Sequence, residues 1–60
     1  MKYTLVSDIK GNIACSYASE VAWLPLMIGD IVIWDDEEHE VIKRKFRLSD
    51  DTLLIKIKPI

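Results

Sequence analysis

Few side chains in this chain could do covalent or metal chemistry. His39 is the only histidine and Cys15 the only cysteine. A thiol becomes a useful nucleophile when a base stands beside it, and His39 is the only imidazole available to Cys15. A structural zinc site takes four Cys or His ligands, two more than the chain owns. With two glycines there is no Gly-rich loop to cradle a phosphate. The run Asp35-Asp36-Glu37-Glu38-His39-Glu40 offers carboxylate oxygens of the kind calcium and magnesium accept. It lacks the alternating Asp/Asn ligands and the central glycine of a calcium loop, and reads as a solvated turn. His39 reads as a surface histidine at a strand start, with a pH-sensing role as the sharper alternative. Cys15 reads as a small buried hydrophobe. The remaining chemistry is charge: Lys43, Lys45, Arg47, Lys56 and Lys58 recur at alternate positions near the C-terminus.

The scaffold for these groups is small. Sixty residues make one domain, spanning 1–60, and such a chain buries only about 60% of the surface its unfolded form exposes. Half the residues are apolar and 30% charged, a globular composition. The net charge of -2 does not suggest a strongly cationic nucleic-acid binder. No uncharged run is long enough to cross a bilayer, and the first residues lack the pattern of a secretion signal. With a single cysteine no internal disulfide forms, so a reducing, cytoplasmic setting is expected. A core this size leaves little room for a catalytic pocket, and no enzyme activity and no cofactor are expected.

Strand formers dominate the chain. Lys2 to Asp8 is rich in β-branched and aromatic residues, Lys10-Gly11-Asn12 supplies a turn, and Ile13, Cys15 and Tyr17 alternate with smaller residues on a returning arm. Ser19 to Ile28 has two readings. One is an extended segment crossing under the sheet; the other is a short helical turn near 18–24 that Pro25 would end. Ile31 to Trp34 is a short apolar strand, Asp35 to Glu38 a turn, His39 to Leu48 a long strand, Ser49 to Thr52 a turn, and Leu53 to Lys58 the final strand. The expected fold is all-β: a five-stranded antiparallel meander closing into a small barrel.

Period-two alternation then assigns faces. A turn centred on Asp50-Asp51 sets Leu48 against Leu53, Phe46 against Ile55 and Arg44 against Ile57, with Ile42 on the same inward face. Lys43, Lys45, Arg47, Leu54, Lys56 and Lys58 fall outside. A turn centred on Asp36-Glu37 sets Ile31 against Ile42 and Val32 against Val41. Ile31, Ile33 and Ile42 then face inward, and Val32, Trp34, Val41 and His39 face outward. An indole and two valines on the solvent side need a cover. Either the N-terminal hairpin or Trp23 and Leu24 fold over them, or they form a dock for a partner.

The step Met27-Ile28-Gly29-Asp30-Ile31-Val32, followed by Glu40-Val41-Ile42 and Leu53 to Ile57, resembles small SH3-like β-barrel modules, in which a Gly-Asp-x-Val step opens a strand. The chain also looks like the short accessory proteins of phages and bacterial mobile elements, many of which bind a host protein. These readings converge on a non-catalytic protein-binding module. Its expected contact residues are Val32, Trp34, Val41, Lys43, Lys45 and Lys56, with Trp34 as anchor and the lysines as rim. Nucleic-acid binding along Lys43, Lys45, Arg47, Lys56 and Lys58 is the alternative, weakened by the lack of interleaved aromatics to stack bases. Self-association as a homo-oligomer is the third reading. No metal and no membrane contact are expected.

Overall fold

The structure is a computed structural model that describes residues 1–60. Five strands form one sheet: β1 (Lys2–Ser7), β2 (Ile13–Ser19), β3 (Ile31–Trp34), β4 (Glu37–Arg47) and β5 (Thr52–Pro59). Their order across the sheet is β2-β1-β5-β4-β3. The sheet curls into a half-barrel without any helix. All pairings are antiparallel except β1 with β5, which run parallel. The all-β, five-stranded reading therefore stands, while the purely antiparallel meander is corrected. The chain leaves β2 at one edge and re-enters the sheet at the other, so the last strand returns to the middle and lies beside the first.

The crossing between the edges is extended and irregular, with no helical turn near 18–24. It covers the core instead of a strand pairing that would close the barrel, and β2 and β3 remain free edges. Ser19 ends β2 by accepting hydrogen bonds at its Oγ from Val21 N (3.2 Å) and Ala22 N (3.4 Å). Trp23, Leu24 and Leu26 then pack on the core. The crossing is pinned at two points. Leu24 N donates to Thr4 Oγ1 at 2.9 Å, and Trp23 Nε1 donates to the Asp51 carbonyl at 3.1 Å. Thr4 is 1% exposed, so this bond satisfies a buried hydroxyl and a main-chain donor together.

The fully buried hydrophobic core is small: Val6, Val41, Leu53, Ile55 and Ile57. Its composition turns on one extra residue in β4. From Lys43 to Arg47 the pairing runs Lys43 with Lys56, Arg44 with Ile55, Lys45 with Leu54, Phe46 with Leu53. Nearer the start of β4 it runs Val41 with Ile57 and His39 with Pro59, and the register shifts between Val41 and Lys43. Ile42 is the unpaired residue of this β-bulge. A bulge moves every side chain on one side of it to the other face.

The consequence is an inversion. Beyond the bulge Arg44 and Phe46 share the face of Leu53 and Ile55, as expected. Their register is corrected by two residues: Arg44 pairs with Ile55 and Phe46 with Leu53, because Arg47 pairs with Thr52 across a four-residue turn, 48–51. Before it, Val41 and His39 point inward, whereas alternation placed Ile42 inward and Val41 and His39 outward. β3 follows, because Val32 pairs with His39 and Trp34 with Glu37, while Ile31 pairs with Glu40 and Ile33 with Glu38. Val32 and Trp34 therefore pack against the core, and Ile31 and Ile33 are 51% and 77% exposed. The turn itself is Asp35-Asp36, both with positive φ (55° and 59°), as a tight two-residue hairpin requires. Two further expectations change. Leu48 lies in the β4–β5 turn and is exposed, and Phe46 sits half-exposed at the rim, its ring edge-on to Trp23 at 5.3 Å.

The β1–β2 loop is tied by Asp8. Its Oδ1 accepts from Lys10 N (2.8 Å) and Asn12 N (2.9 Å), and its Oδ2 from Asn12 Nδ2 (3.2 Å). Burial pushes the Asp8 carboxyl up. The hydrogen bonds from Asn12 and Lys10, with the Lys10 charge, outweigh it and hold the group below the ordinary carboxylate value. Gly11, at φ 88°, makes the left-handed step in this loop.

Candidate functional site

The outer face of β4 and β5 carries the basic groups. Lys43 and Lys56 are direct cross-strand partners, Lys45 faces Leu54, and Leu5 and Ser7 of β1 face Leu54 and Lys56 from the other side. A shallow groove of about 160 Å³ lies here, lined by Ser7, Lys43, Lys45, Leu54, Ile55 and Lys56. Like charges directly opposite each other in a sheet cost roughly 0.2–1 kcal/mol. No carboxylate offsets this pair, because the single ion pair in the molecule lies elsewhere, between Arg47 and Asp50 at 2.8 Å.

That ion pair divides the basic stripe. Arg47 Nε lies 3.0 Å from both Asp50 oxygens, so the guanidinium is committed to its own turn. This contact raises the Arg47 pKa and holds the Asp50 carboxyl low, the shared hydrogen bond being the largest cause for each. At the other end, Lys58 is the cross-strand partner of Glu40. The cations left without a facing acid are Lys43, Lys45 and Lys56.

The six residues expected to form one contact surface therefore separate. Lys43, Lys45 and Lys56 share the outer groove. Val41 has no exposed surface at all, and Val32 and Trp34 pack against the same core from the inner face. Val41 is thus a core residue rather than a contact residue, because the bulge turned its strand over. His39 is corrected in the same way: it is 3% exposed, its ring rests 5.4 Å from that of Trp34, and its Nδ1 lies 3.0 Å from the Glu37 carbonyl oxygen. Cys15, expected in the interior, lies exposed on the free edge strand β2.

Sequence reasoning missed a second concavity, at the open end of the half-barrel. There the β1–β2 loop approaches the β3–β4 turn across Trp34 and His39. The signal was the parallel β1–β5 pairing, which brings both turns to one end, and alternation within single strands does not contain it.

No protein-family model, no curated protein and no solved structure matches the chain. No helix is long and apolar enough to cross a membrane.

Proposed function

We propose that the protein is a non-catalytic binding module whose Lys43–Lys45–Lys56 groove docks an acidic, partly apolar segment of another protein. The observation that carries this reading is the Lys43–Lys56 cross-strand pair, held face to face beside Lys45 with no acid of the protein to neutralise it. An arriving carboxylate relieves that repulsion, while Leu54 and Leu5 beside the lysines offer apolar contact. A small phage or mobile-element protein that engages a host protein would act in this manner. Nucleic acid fits the groove less well, since none of its lining residues is aromatic and the chain carries net negative charge.

Fluorescence anisotropy with a labelled peptide of alternating Glu and Leu, and with single-stranded and duplex DNA, tests the choice. The peptide is expected to bind, and Lys45→Glu to weaken it at least about tenfold, the loss of one charge-assisted contact. DNA binding that falls steeply with salt, with no peptide binding, would replace this reading with the nucleic-acid one. Lys56→Glu separates binding from folding. It should abolish peptide binding while raising stability by about 0.2–1 kcal/mol, because it converts the opposed lysines into an opposite-charge pair.

Self-association is a second reading with its own support. Neither free edge strand, β2 (IACSYAS) or β3 (IVIW), contains a charged residue, and charge on an edge is the usual block to pairing between copies. A sedimentation mass that rises with concentration would favour it.

A further inference from the structure

Beside the lysine groove, β4 has a stretch of open edge. The strand runs from Glu37 to Arg47, but β3 pairs only with Glu37 to Glu40. The turn at 27–30 ties the chain to Val41 alone: Gly29 N donates to the Val41 carbonyl and Val41 N to the Asp30 carbonyl, each at 2.9 Å. Gly29, at φ 96°, turns the chain off the line of β3, and Leu24 is held over β1 by Thr4. Residues 42–47 therefore have β5 on one side and no main-chain hydrogen-bond partner on the other. At about 3.3 Å per residue this is roughly 20 Å of edge, room for one added strand of about six residues.

Its side chains select what can pair there. Lys43, Lys45 and Arg47 are exposed on the outer face. The same edge of a second copy would set cations against cations, and edge lysines are the usual block to such pairing. A strand with carboxylates at alternate positions sets them instead beside Lys43 and Lys45, which have no acid within the protein. On the inner face Phe46 is half-exposed. Arg44 lies over its ring, in no ion pair, with a buried Nε that has no hydrogen-bond partner. The inward positions of an added strand thus meet an uncovered aromatic ring and a guanidinium short of acceptors. The β2 and β3 edges carry no charge and make no such selection.

We infer that the protein takes up its partner by β-strand addition: an extended acidic segment of another protein pairs main chain to main chain with residues 42–47. Its carboxylates lie on the outer face beside Lys43 and Lys45, and its apolar side chains on the inner face against Phe46. This rests on the reading of the lysine groove as a dock for an acidic segment, and it specifies how that segment is held. Main-chain hydrogen bonds supply affinity, and the alternation of acid and apolar side chains supplies selectivity.

Amide hydrogen exchange of ¹⁵N-labelled protein, followed by NMR with and without the blocked peptide Glu-Leu-Glu-Leu-Glu-Leu, tests the mode. At saturation the edge-facing amides of residues 42–47 should exchange at least about tenfold more slowly, because each gains an acceptor. The amides of β3, an edge of the same sheet without lysines, are the internal control and should keep their rates. The same peptide N-methylated at every residue keeps its side chains and loses its main-chain donors. It should bind at least about tenfold more weakly. Peptide binding with unchanged exchange at 42–47, protection at β2 or β3 in its place, or full affinity of the methylated peptide would each overturn strand addition and leave the groove reading standing. No binding of the unmodified peptide would overturn both.

Discussion

Val41→Ala and Ile33→Ala, made side by side, measure which way the β3–β4 hairpin faces. Val41 has no exposed surface and lies among Ile57, Val32 and Trp34, so truncation removes two buried methyl groups. At about 0.8 kcal/mol each, with a further cavity cost, the loss comes to about 2–3 kcal/mol. A 60-residue domain has roughly 3–9 kcal/mol to lose, so this is a large share of its stability. The melting temperature should fall by about 10–20 °C, at roughly 4–8 °C per kcal/mol for a domain of this size. Ile33 is 77% exposed on an edge strand, and its truncation should cost under about 1 kcal/mol, mostly strand preference. Urea unfolding followed by circular dichroism reads both values. An Ile33→Ala cost equal to or above that of Val41→Ala would mean that β4 runs without its bulge, and the inside–outside assignment of the hairpin would be wrong.

Other perturbations probe separate parts of the fold. Asp36 takes a left-handed φ of 59° in the hairpin turn, so Asp36→Gly should raise stability by about 1 kcal/mol, visible as a higher urea midpoint at unchanged slope. Thr4→Val keeps the shape of a buried side chain but leaves Leu24 N without its acceptor. It should cost about 1–3 kcal/mol and speed amide exchange at Leu24 selectively. The carboxyls of Asp8 and Asp50 titrate lower folded than unfolded, so the unfolded chain holds more protons in acid. Their contribution is present above the ordinary carboxylate pKa of about 4 and is lost as pH falls through the folded values. Asp8→Asn should flatten that acid limb in urea midpoints measured across it, and an unchanged limb would remove Asp8 from the account.

Much of the architecture is legible from local chemistry. β-branched runs place the strands, glycine and carboxylate clusters place the turns, and Leu53, Ile55 and Ile57 announce the core face of the last strand with no ambiguity. The basic groove is legible too, because Lys43, Lys45 and Lys56 lie on the side of the bulge where simple alternation holds. Trp34, Val32 and Val41 lie on the other side. The one warning in the sequence was energetic: alternation left an indole and two valines in water.

Composition and spacing by themselves determined that this chain is a small all-β domain with a basic ribbon, since strand preference and period two are properties of neighbouring residues. Tertiary structure alone decided the bulge at Ile42, the parallel β1–β5 pairing and the concavity at the open end. In β3, Ile-Val-Ile-Trp is apolar on both sides, and either face could be buried. The choice falls to the shared core, on which Val32 and Trp34 pack together with Trp23, Leu24 and Leu26 from the crossing segment, and such contacts between distant parts of the chain leave no mark on local periodicity.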